Sequence, residues 1–166
     1  MKRIAFIVLM ALPLSLMAQD KLAYVNIQDI FQVMPELSDV EKSMADLNEQ
    51  YKKEIDKMYE EYTGKVKEFQ DNLATMAESI KTRRQSEIMD IENRINTFQQ
   101  TANQELQHKQ MEMINALRDK IVKAVNEVGA ENNYTYIFDL STQSIVYQSP
   151  KAVDITPLVK KKLGLK

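Results

Sequence analysis

Apolar residues return every three or four positions along most of this chain. One stripe runs Leu37, Val40, Met44, Leu47, Tyr51, Ile55, Met58, Tyr62, Val66, Phe69, Leu73, Met76 and Ile80. A second runs Ile88, Ile91, Ile95, Phe98, Ala102, Leu106, Gln110, Met113, Leu117, Ile121, Ala124 and Val128. Each has a mean step of about 3.6, the helical period, and the steps alternate as a coiled-coil seam requires. No proline falls within residues 36–131. The polar, basic stretch from Ser79 to Gln85 lies near the middle, so the pattern predicts two arms of nearly equal length rather than one helix. An antiparallel hairpin then buries one stripe against the other. Its tip is expected within residues 77–85. Thr82 with Gln85 would form a capping box there, and Ser38 with Glu41 another at the start of the first arm. Arms of about 40 residues reach about 60 Å at 1.5 Å per residue, so they must project from a chain of this size.

The ends follow a different pattern. Lys21 to Ile27 is rich in β-branched and aromatic residues and predicts a strand. Ile30, Phe31, Val33 and Met34 supply one face of a short helix that Pro35 ends. Tyr134 to Leu140 and Ser144 to Gln148 predict two further strands joined as a hairpin through Ser141-Thr142-Gln143. Asn132-Asn133 suits a helix C-terminus, because Asn tolerates the left-handed conformation. Thr156, Pro157 and Gly164 have the spacing of a cap, a first helical position and a stop around a short closing helix. Asp139 and Asp154 fall at turn and cap positions.

The first 18 residues read as an address rather than as structure. Met1-Lys2-Arg3 is basic, Ile4 to Leu16 is apolar, and Ala18 precedes polar Gln19-Asp20. That order is the pattern of a secretory signal peptide, and the apolar run is short for a permanent span. Cleavage after Ala18 is expected. It would take the net charge from −2 to about −4 by removing Lys2 and Arg3.

Composition removes most chemistry. There are three Gly, no Cys and one His in 166 residues. The first argues against Gly-rich phosphate loops and turn-dense β folds. The second excludes thiol nucleophiles, disulfides and Cys-zinc sites. Glu105 with His108 is half of the Glu-x-x-His pattern of di-metal bundles, and a single copy lacks the ligands such a site needs. No catalytic, metal or cofactor site is expected, and the chain is not read as an enzyme. Residues 36–131 carry 20 acidic and 14 basic side chains, which argues against nucleic acid as a partner. Lys81, Arg83 and Arg84 are the exception, a local basic cluster at the arm tip that reads either as solvated loop charge or as a contact for an anionic lipid surface. Tyr59, Met89, Met111 and Val122 lie off the main stripes and either pack within the hairpin as flanking seam positions or serve as candidates for weak apolar contact with a client, for which flexible Met is suited. The stretch Gln99 to Gln110 is poor in burying residues and reads either as a bending point or as a solvated face.

Lys21-Leu22-Ala23-Tyr24-Val25-Asn26 with Ile30-Phe31-Gln32 resembles the N-terminal strand and helix of the Skp/OmpH family of periplasmic chaperones. Tyr134 to Asp139 and Ala152 to Thr156 resemble that family's closing strands and last helix. The resemblance implies an α+β fold in which a long antiparallel helical hairpin projects from a small β-barrel body assembled from the strands of three subunits. The segments would be a signal peptide at 1–18, body at 19–35, arm at 36–131 and body at 132–166. Leu22, Tyr24, Val25, Tyr136, Phe138 and Val146 are then expected in the trimer body, consistent with strand edges too few to close a sheet within one chain. The implied function is ATP-independent holding of unfolded outer-membrane β-barrel proteins in the periplasm. The alternative is a structural coiled-coil or envelope scaffold without chaperone activity, which the periodicity alone serves equally well.

Overall fold

The computed structural model describes residues 20–142 and 144–165 of the chain. The expected signal segment, residues 1–18, lies outside the described residues. The order of elements is β1 (Leu22–Val25), α1 (Ile27–Phe31), α2 (Glu36–Asn72), α3 (Glu78–Glu131), β2 (Tyr136–Asp139), β3 (Val153–Asp154) and α4 (Thr156–Lys162).

α2 and α3 form the antiparallel hairpin that the two stripes predict. Val40, Ile91, Ile95, Ala102, Leu117 and Ile121 are buried along the seam, and most other stripe residues are half-buried. Polar contacts fix the register down its length: Glu36 with Lys120 and Tyr51 with Glu105, then Glu61 with Arg94 at 3.2 Å and Glu68 with Arg84 at 3.7 Å. Each advance along α2 is matched by a similar retreat along α3. The arms are unequal, 37 against 54 residues, because α3 continues past the start of α2 and into the body.

The tip differs from the expectation. The chain turns between Asn72 and Glu78, ahead of the 77–85 stretch and sharing only Ala77 with it. The Asn72 carbonyl accepts from the Thr75 and Met76 amides at 3.0 and 3.2 Å, and Ala77 is extended (φ −66°, ψ 150°). The basic stretch stays helical because carboxylates one turn away pair with it: Glu78 with Lys81, and Glu87 with Arg83 and Arg84. Neither expected capping box forms. The Thr82 hydroxyl donates to the Glu78 carbonyl instead. Pro35 is already helical (φ −61°, ψ −30°), so α2 starts two residues before Ser38.

The body is built around β1. β2 and β3 flank it, both parallel, with Leu22 opposite Tyr136 and Tyr24 opposite Phe138 on one side, and Tyr24 opposite Asp154 on the other. The expected hairpin at 134–148 does not form. Asp139 accepts hydrogen bonds from the Ser141 amide and hydroxyl and from the Ile27 amide, which turns the chain into a short 3-10 segment at Leu140–Thr142. Residues 144–149 have no strand partner, and Val153–Asp154 takes the open edge of β1 instead. Thr156 does not cap α4 but is its first residue: the N-cap position is Ile155, which has no side-chain cap bond. Asp154 just before it accepts from the Thr156 amide at 2.8 Å, and the Thr156 hydroxyl receives the Asn26 amide at 3.0 Å. The left-handed positions fall where expected, at Asn133 (φ 55°) and Gly164 (φ 74°).

The core sits where α1, α4 and the inner face of the sheet meet the last turns of α3. Val25, Ile30, Ile121, Ile155 and Val159 are at most 1% exposed, and burial of each contributes about 1.5–3 kcal/mol. Gly129 lies on the α3 face under β2; a Cβ there would stand 2.9 Å from Ile137 Cδ1, so glycine lets the strand lie close to the helix.

Candidate functional site

Two surfaces are left after the core is accounted for. The first is the outer face of the small sheet. Parallel sheets are ordinarily covered on both sides, and the strands alternate. Ala23 and Val25 point inward, whereas Leu22, Tyr136 and Phe138 on the opposite face are 47%, 61% and 42% exposed. Tyr136 stacks on Phe138 with ring centroids 6.3 Å apart. Residues 145–152 border this face and leave an open groove of about 440 Å³ lined by Leu22, Tyr24, Phe138, Ile145 and Tyr147. Val146 is wholly exposed. Of the six residues expected in a trimer body, five lie on or beside this face, and Val25 belongs to the chain's own core. Tyr147 is an exposed apolar residue there that the sequence did not single out. The signal was present for Tyr147, which continues the run Ile145-Val146.

The second surface is the arm. Tyr59, Met89, Met111 and Val122 are all at least 40% exposed and so do not pack in the seam. Tyr59 is the one with a polar tie, its hydroxyl receiving the Gln99 amide at 3.4 Å. Lys81, Arg83 and Arg84 lie in the first two turns of α3, not in the tip turn. Each sits within 3.0 Å of a carboxylate oxygen, and the hydrogen bond from Arg84 holds the Glu87 carboxyl below its usual range. The trio therefore offers little uncompensated charge. Glu105 is engaged by Tyr51, His108 is exposed, and among the described residues no three or more His, Cys, Asp or Glu side chains converge as a metal site. No helix among them is long and apolar enough to cross a membrane.

A small α+β body with an open apolar sheet face and a long, solvated helical hairpin defines an arm-bearing binding or scaffold protein. The chain belongs to the OmpH-like outer membrane protein family, whose model matches residues 21–163. It is 28% identical over 149 residues to the chaperone protein Skp of Pectobacterium atrosepticum, covering 90% of this chain and 88% of that one. It is equally identical, over 143 residues, to Skp of Yersinia enterocolitica, covering 86% and 85%. The fold is similar to that of an OmpH-like outer membrane chaperone from Caulobacter crescentus, with a TM-score of 0.71 at 12% identity over 88% of this chain and 85% of that chain.

Proposed function

We propose that this protein is an ATP-independent holdase that binds unfolded outer-membrane β-barrel proteins in the periplasm and keeps them from aggregating. The observation that carries it is the match of residues 21–163 to the OmpH-like family. The geometry supports the same function, because a long arm with scattered exposed Met and Tyr offers many weak contacts and no chemistry. The mature chain works as a homotrimer after removal of its signal peptide. Three open sheet faces, each carrying Leu22, Tyr24, Tyr136 and Phe138, cover one another with Val146, and the arms extend from that joint body around the client. The test is aggregation of a urea-denatured outer-membrane β-barrel protein on dilution, followed by light scattering without nucleotide. Suppression at equimolar trimer is expected. Unchanged scattering at a several-fold excess of trimer overturns the assignment and favours a scaffold.

A further inference from the structure

The backs of the two arm helices, turned away from the seam, differ in kind. Along α2 the outward stripe, in steps of three and four, runs Asp46, Glu49, Lys53, Asp56, Glu60, Thr63 and Lys67, all exposed and all but Thr63 charged. Along α3 the matching stripe, in steps of three and four from Ser79 to Ile114, includes Met89, Asn93, Asn96, Gln100, Asn103, Gln107 and ends past Met111. It carries no charge for about 50 Å of helix in a chain that is 28% charged. All of it is exposed except Ile114, which is half-buried. Within it, residues 95–104 contain no charged residue on any face. Asn93, Asn96, Gln100, Asn103 and Gln107 make no side-chain hydrogen bond to other described residues.

We infer that this neutral stripe of α3 is the surface that holds the client, and that its ligand is the backbone of an extended, unfolded polypeptide. The inference rests on the holdase function proposed above and adds where, and by what chemistry, the client is held. Side-chain amides donate and accept, so they match the unpaired N–H and C=O groups of an unfolded chain whatever its side chains. Met89 and Met111 frame the row with adaptable apolar contacts. A second helix is a poor occupant, since a coiled-coil seam needs apolar residues at these spacings. A charged surface would favour clients of one sign, and the back of α2 is such a surface, with Lys53 and Glu49 paired at 2.6 Å and the other charges of its stripe exposed. Binding through a neutral stripe is insensitive to salt, because there is no charge pair to screen.

The test measures the dissociation constant of the trimer for a dye-labelled, urea-denatured outer-membrane β-barrel protein. Asn96→Glu, Gln100→Glu and Asn103→Glu together, and separately the same three positions changed to Lys, are each expected to weaken binding at least tenfold, with helix content by circular dichroism and trimer mass unchanged. Lys53→Gln, Asp56→Asn and Glu60→Gln together are expected to stay within twofold of wild type, as is wild type between 50 mM and 500 mM salt. Because the chain has no cysteine, Gln100→Cys and Lys53→Cys each give one attachment point for a photoactivatable probe on an otherwise unaltered arm. Client adducts are expected at least fivefold more from the first. Equal or reversed adduct yields, or charged variants of α3 that bind within twofold of wild type, overturn the stripe while leaving the holdase assignment standing. A wild-type trimer that binds no client overturns both.

Discussion

Gly64 is exposed in the interior of α2, and nothing lies within 4 Å of where its Cβ would be. Glycine in a helix interior costs about 0.5–1 kcal/mol relative to alanine through backbone entropy. Gly64→Ala is therefore expected to stabilise the arm by about that amount, seen as a higher thermal midpoint at fixed protein concentration. An unchanged or lower midpoint would show that this glycine relieves strain in α2. Asp139 has the opposite character. It receives the Ser141 amide and hydroxyl at 2.9 and 2.7 Å and the Ile27 amide at 3.4 Å, so it ties the end of β2 to the start of α1. Asp139→Ala leaves those donors unpaired and is expected to cost about 1–3 kcal/mol in urea unfolding, with Asp139→Asn recovering part of the loss. The residue type at a turn announced this role; the reach across 112 residues to Ile27 did not, because only the folded body brings them together.

At the scale of elements, ion pairs along the arm make its stability depend on pH, modestly because the pairs are solvent-exposed. The carboxyls of Glu36, Glu49, Glu87 and Glu112 are all held below the usual range, foremost by hydrogen bonds from Lys120, Lys53, Arg84 and Lys109. A depressed carboxyl binds fewer protons in the native arm than in the unfolded chain. Its contribution is therefore full above the ordinary glutamate value of about 4.3 and is lost as pH falls below it. The helical signal at 222 nm is expected to melt at a constant temperature from pH 7 to about pH 5 and at progressively lower temperatures below about pH 4. Glu36→Gln, Glu87→Gln and Glu112→Gln together should flatten that fall, and a fall of undiminished depth would show that other carboxylates govern it. The hairpin itself was legible because the period of about 3.6 in Leu37–Ile80 and Ile88–Val128 registers burial directly. The tip lies ahead of Ser79–Gln85 because that stretch is polar without being a break. Helical spacing puts Glu78 and Glu87 beside Lys81, Arg83 and Arg84, and satisfied charge is as helical as any other surface. Residues 144–148 depart from the expected strand for a different reason. Their composition favours a strand, but the bonds from Ser141 to Asp139 turn the chain into a 3-10 segment at Leu140–Thr142 where a hairpin back onto β2 would need its turn.

For the whole molecule, the open sheet face is the feature that one chain leaves unfinished. Leu22, Tyr136, Phe138 and Tyr147 expose apolar side chain on and beside this face, and Val146 in the bordering segment is wholly exposed, so a monomer would carry a sticky patch. The seam of the arm, by contrast, is satisfied within the chain. Assembly and arm stability should therefore separate under mutation. Phe138→Lys with Val146→Lys places two cations in the joint face, where burying an unpaired charge is prohibitive. The expected result is loss of the trimer in sedimentation at micromolar concentration, with most of the helix signal kept, since neither residue touches the core formed by Ile30, Ile121 and Ile155. Aggregation suppression should fall with the proposed trimer, because one arm alone offers a single neutral stripe whereas three arms brought together would add their weak contacts as effective concentration. A variant that stays trimeric would place the subunit interface elsewhere. One that becomes monomeric yet holds clients as well as wild type would show that a single arm suffices, and the sheet face would then need another partner.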